Sequence, residues 1–283
     1  MKLELILYGE PSAPTLRLSE LAAHISQLAP GLKLTVYDDF FSIYAADQLD
    51  FLARSLALAR VKNPQAPLDF RLPPPDPTQH RANQPPKRPN QLPSPIELDF
   101  EKRNILNSRT RKAGILYDGH AVAEIAESLL PRTLLRTDKT IVICTVLLLG
   151  TFEPSDRRYH ARTIVCSQVK LISLTGLVLA PARPVEFYIA RQAYRLAGRY
   201  EMEAKLEADL GDSILHRDDE RLTEVVEGYV LQALAHQTLG YPFCSNPACR
   251  LFNAHRQSEM LRAQLRGLLC AEHTAWLRSL GRT

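Results

Sequence analysis

The chain has no apolar run long enough to span a bilayer. Its longest uncharged apolar stretch, Thr140–Phe152, falls well short of the ~20 residues that a transmembrane helix needs. The opening Met1-Lys2-Leu3-Glu4-Leu5-Ile6-Leu7-Tyr8 is too short and too interrupted by charge to be the apolar core of a secretory signal, and no small-residue cleavage site follows it. A soluble, cytoplasmic protein with no membrane partner is therefore expected. Cysteine is scarce, five in 283 residues. In a reducing compartment Cys144 and Cys166 are expected to stay free thiols inside strands. Charge of one sign is also in short supply, since 35 Lys and Arg stand against 31 Asp and Glu.

What remains is ordinary globular material, 45% hydrophobic and 23% charged, enough for a sizeable core in one or two domains. Residues 1–62 read as an α/β beginning: strand Leu3–Tyr8, helix Leu16–Leu28, strand Lys33–Tyr37, and a Leu/Ala-rich helix from Ala45 to Val61. Composition then shifts. Eleven prolines fall between Asn63 and Pro95, a density that permits neither helix nor central strand, so residues 63–98 are expected to be an extended linker or insertion. From Arg81 to Lys112, eight basic residues face three acidic ones. Such a segment can touch nucleic acid or an acidic partner, but with almost no aromatic interleaving it reads as a solvated linker. Ordered patterning resumes over 99–283. A helix is expected over Ala121–Leu130, a buried strand over Thr140–Leu149, further strands over Arg162–Cys166 and Leu171–Leu179, and one long helix from Pro184 to Leu206.

The sharpest chemistry lies near the C-terminus. Cys244-Ser-Asn-Pro-Ala-Cys249 and Cys270-Ala-Glu-His273 form two short ligand pairs, the donor set of a tetrahedral Cys₃His zinc site. Asn246 and Pro247 supply turn chemistry between the first two thiols. Four protein ligands close the coordination sphere, so Cys244, Cys249, Cys270 and His273 are expected to hold a structural Zn²⁺ in a module spanning 244–273. Just before it, a helix over Glu220–Leu239 places Leu222, Val226, Tyr229, Ala233 and His236 on one face, which turns His236 inward. Gly240 and Pro242 end that helix.

A helix with an inward histidine, a glycine break, C-x4-C and a distal ligand pair resembles the archaemetzincins, metzincin-type zinc peptidases with a second, structural zinc beside the catalytic one. The resemblance covers mainly Thr140–His273 and extends to Leu147-Leu-Leu-Gly-Thr-Phe, Tyr159-His-Ala-Arg162 and the strand through Leu171, which are similar to the sheet and edge strand of that fold. The block Phe243 to Glu259 is similar to an uncharacterised family of metallopeptidase-like proteins. The resemblance implies a metzincin-like mixed sheet with packed helices, an α/β fold.

The catalytic motif of that family, H-E-x-x-H-x-x-G-x-x-H, is missing here. With His236 on its second histidine, Gln232 stands in place of the first and Ala233 in place of the glutamate that takes a proton from zinc-bound water. The third histidine falls on Pro242 or Phe243, and Leu251 stands where a Met-turn methionine is expected. Only His236 matches a ligand position. The resemblance thus implies a peptide- or protein-binding pseudo-peptidase with one structural zinc. A rival is an active zinc metallopeptidase with a non-standard site, joining His236 to some of His120, His160, His255, Glu224 and Glu227. Nucleic-acid binding through the zinc module is the weaker alternative, because Arg250, Arg256, Arg262 and Arg266 only partly supply an exposed basic helix.

Overall fold

A computed structural model describes residues 3–45, 47–62, 92–265 and 267–280. The strands are β1 (Glu4–Tyr8), β2 (Lys33–Tyr37), β3 (Leu116–Asp118), β4 (Lys139–Thr145), β5 (Leu148–Glu153), β6 (Arg158–Arg162), β7 (Ile164–Cys166) and β8 (Val169–Ser173). The helices are α1 (Leu18–Leu28), α2 (Phe40–Ala45), α3 (Leu49–Ala59), α4 (Pro95–Leu106), α5 (Gly119–Leu129), α6 (Leu174–Leu179), α7 (Val185–Leu196), α8 (Met202–Leu210), α9 (Leu222–Leu239), α10 (Gln257–Leu265) and α11 (Ala271–Ser279). The expected mixed α/β class is borne out.

The main sheet has the order β2-β1-β4-β8-β7, parallel except for β7, which runs antiparallel to β8 at the edge. β1 is hydrogen-bonded between β2 and β4, so the portions 1–62 and 99–283 share one sheet. β1 alternates its side chains between two cores. Leu5 and Leu7 join the cluster that holds α1 and α9, while Ile6 and Tyr8 join the cluster of α2, α3 and α5 on the other face. Across the start of the sheet, Glu4 pairs with Lys33 at 2.9 Å and Lys139 at 2.6 Å, and their hydrogen bonds hold its carboxyl down to about 2. β3, β5 and β6 form a second sheet, with β3 parallel and β6 antiparallel to the central β5.

Several segments differ from the sequence reading. The expected helix Ala45–Val61 is α3 from Leu49 to Ala59, with Ala45 closing α2, and the expected strand Arg162–Cys166 is divided between the end of β6 and β7. The apolar run Thr140–Leu149 is two strands in two sheets, because the chain turns a corner at Val146: its N–H donates to the Glu10 carboxylate (3.1 Å), and that of Leu147 to the Thr145 hydroxyl (3.2 Å). Leu171–Leu179 is strand only as far as Ser173, whose hydroxyl then accepts from Gly176 N–H (2.8 Å) and caps α6. The expected helix Pro184–Leu206 breaks into α7 and α8 at Gly198, where φ is +70°. Finally, α4 begins at Pro95, inside the 63–98 segment, on a capping box between Ser94 and Glu97. Residues 63–91, with most of the prolines, lie outside the described residues. Cys144 and Cys166 are free cysteines within β4 and β7.

Candidate metal centre

α9 is buried almost all round from Leu222 to Ala235, more than the single face expected of it, and it forms the spine that delivers the chain to the cysteine cluster. It stops at Gly240, whose φ of +83° closes the last turn with its N–H on His236 O. The chain then folds back. Cys244 N–H donates to Leu251 O (2.8 Å), and Phe252 N–H to Cys249 O (2.9 Å). Between them the Asn246 side chain accepts from Ala248 N–H (2.9 Å), and its backbone carbonyl accepts from Cys249 N–H (2.9 Å). This tight loop turns both thiols the same way.

The second pair arrives on α11. Cys270 stands at its N-terminal boundary and His273 in its first turn, tied to the first loop by Arg250 N–H on Leu268 O (2.7 Å). Two backbone amides are aimed at sulfur, Asn246 N–H at Cys244 Sγ (3.4 Å) and Cys270 N–H at Cys249 Sγ (3.5 Å). His273 Nδ1 lies 2.9 Å from Cys270 Sγ and 3.8 Å from Cys249 Sγ. All four ligand atoms fall within 4.8 Å of one another. A tetrahedron built on ~2.3 Å Zn–S bonds has edges of about 3.8 Å, so the cluster could hold a metal ion.

The chemistry of the donors fits this. His273 is 2% exposed and turns its Nδ1 towards the sulfurs of Cys270 and Cys249. A buried imidazole whose polar neighbours are two thiols loses its hydration for little return unless a cation joins them. Burial pushes the Cys249 thiol up to about 11. Burial also acts against ionising Cys270, but hydrogen bonds with His273 and Cys249 outweigh it and bring that thiol to about 7. A cation binding here would have to displace protons, as thiolate ligation requires. The rings of Tyr241 and Trp276 stand edge-on to His273 at 6.5 and 6.2 Å.

The helix positions that the resemblance assigns to a catalytic zinc do not make up a ligand set, although Gln232 Oε1 is a buried acceptor without a partner among the described residues. Gln232 is buried and its Nε2 donates to Phe252 O at 3.4 Å. Ala233 is fully buried. His236 is half-buried, its Nδ1 has no partner among the described residues, and burial together with the nearby Lys170 lowers its pKa. The rival ligands are dispersed. His160 pairs with Asp156 (2.7 Å), Glu227 with Arg250 (2.5 Å) and His24 (3.2 Å), and His120 and His255 are exposed. Glu224 contributes its backbone carbonyl to Arg250. Among the described residues, Cys244, Cys249, Cys270 and His273 form the one group with metal-holding geometry.

Sequence reasoning missed a buried ionic triad at the carboxyl ends of β1 and β2. Arg111, assigned to the solvated basic segment, is 3% exposed; its guanidinium grips Glu10 (2.7 Å) and Asp39 (2.8 Å). Burial works against its charge, yet the two carboxylates raise its pKa above the ordinary value. The available signal was the position of Gly9-Glu10-Pro11 and Asp38-Asp39 directly after two parallel strands.

The chain belongs to the family of unknown function designated DUF7001, whose model matches residues 6–276. No curated protein matches it. Among solved structures, a zinc-dependent peptidase from Methanocorpusculum labreanum (strain Z) is similar at 13% sequence identity and a TM-score of 0.38, covering 97% of this chain and 100% of that one.

Proposed function

We propose that this protein binds one structural zinc through Cys244, Cys249, Cys270 and His273 and serves as a peptide- or protein-binding pseudo-peptidase. The observation that carries the reading is the contrast along α9: a complete ligand set lies just past its end, whereas Gln232 and Ala233 occupy the helix positions where the resemblance to archaemetzincins requires a ligand and a base. An amide held by Phe252 O and a methyl group supply neither. The bound segment would add to β7, the three-residue edge strand that is paired on one side only among the described residues.

The test is metal content together with proteolysis. Purified protein is expected to carry one zinc per chain, lost in Cys249→Ser, and to show no chelator-sensitive cleavage of peptide libraries. A second zinc per chain, with cleavage that o-phenanthroline abolishes and His236→Ala eliminates, overturns it.

A further inference from the structure

At the other end of α9, roughly 27 Å from Gly240 for 18 residues at 1.5 Å each, lies a cavity that the zinc reading leaves without a role. From β1 the chain runs through α1 to β2 on one side; β4, on the other side of β1, leads on to β8. α1 covers one face of the sheet and α3 the other. The β1/β4 boundary is thus a topological switch point, where the loops leaving the carboxyl ends of neighbouring strands diverge and open a crevice. A cavity of about 260 Å³ sits there, lined by Ser12 and Ala13 after β1, Val146 after β4, Leu174, Thr175, Val178 and Leu179 of α6, and Arg217 and Asp218 before α9.

Its floor is fixed. Glu10, locked by Arg111, accepts from Val146 N–H, and Thr175 Oγ1 donates to Val146 O (2.5 Å). Its walls are aliphatic: Ala13, Val146, Leu174, Val178. Its rim is charged and unspent, for Arg217 and Asp218 are exposed and make no ion pair or side-chain hydrogen bond among the described residues. Two opposite charges one residue apart over an apolar chamber match one ligand chemistry. A carboxylate suits the guanidinium, an ammonium suits the aspartate, and an aliphatic side chain fills the chamber, which is too small for a nucleotide.

We propose that this crevice binds a free α-amino acid with a medium-sized apolar side chain, leucine being the probe of choice. The site is independent of the zinc centre. Calorimetric titration of the full chain with L-leucine should give saturable, one-site binding. 4-Methylpentanoate lacks the ammonium, isopentylamine lacks the carboxylate, and each should bind at least ~10-fold more weakly. Arg217→Ala, at an exposed position, should weaken leucine ~10-fold or more while zinc content and melting temperature hold. Val178→Trp, which fills the chamber, should abolish binding. Absence of saturable leucine binding up to about 10 mM, or binding of N-acetyl-leucine amide as tight as that of leucine, overturns the proposal. So does leucine affinity unchanged in Arg217→Ala.

Discussion

The triad at the carboxyl edge of the sheet and the cluster past α9 are both buried polar sites, but they solve the burial problem in opposite ways. Arg111, Glu10 and Asp39 satisfy one another with charges the chain itself carries, and backbone groups complete the set: Val146 N–H on Glu10, Phe41 N–H on Asp39, Asn104 O under the Arg111 Nε. The cysteine cluster has no internal cation. Its imidazole turns Nδ1 towards two sulfurs, and beyond that contact the thiols meet only weak amide donors. A self-contained ionic site folds with the sheet, whereas a donor-only site needs something from outside. The lesson is that incompleteness, not burial, marks where a ligand belongs.

Breaking the donor-only site should have the largest effect. In isolated zinc modules the metal contributes ~10–16 kcal/mol of folding free energy. Here the α/β core supports most of the chain, so the loss should be confined to the segment from Cys244 through α11. Cys249→Ser, or zinc removal by a chelator, is expected to abolish amide-exchange protection in α11 while β1, β4 and β8 stay protected. Full protection of α11 in zinc-free protein would mean that the cluster does not depend on a metal.

Breaking the self-contained site should cost less but act globally. Arg111→Leu leaves two carboxylates buried against each other, a loss of about 3–5 kcal/mol in urea unfolding. Because Glu10 anchors the corner at Val146, the same variant should weaken leucine binding in the crevice. An unfolding midpoint within error of the parent would remove the triad as a stabilising element.

The contrast also explains what could be read from the sequence. The four zinc donors lie in two short motifs of rare residue types, so spacing alone assembles them. β1 and β2 were legible almost to the residue because short apolar runs bounded by turn residues leave little choice of structure. The triad was not legible, since Arg111 lies 101 residues from Glu10 and 72 from Asp39, a separation that local patterning cannot bridge. The misread strands failed for a related reason. Nothing in Thr140–Leu149 announces that a glutamate from a distant turn will capture the Val146 amide, and in Leu171–Leu179 only the hydroxyl of Ser173 distinguishes strand from helix.

Lys170 sharpens the comparison with a case between the two sites, and here the smallest effect is expected. It is 1% exposed, makes no ion pair among the described residues, and donates only to neutral acceptors, Gln168 O at 3.0 Å and Gln237 Oε1. Burial lowers its pKa from 10.5 to about 8. The folded state therefore binds fewer protons than the unfolded state between those values, and this residue's contribution to stability rises as pH climbs from 8 to 10.5. Lys170→Met removes the cost of a buried ammonium but leaves two acceptors without a donor, each worth about 1 kcal/mol. At pH 7 the two terms should nearly cancel, leaving a change within about 1–2 kcal/mol. The pH dependence separates them: from pH 8 to 10.5 the parent should gain stability relative to the variant. A constant difference in unfolding free energy over that range would show that Lys170 keeps its proton in the fold, satisfied by its neutral acceptors alone.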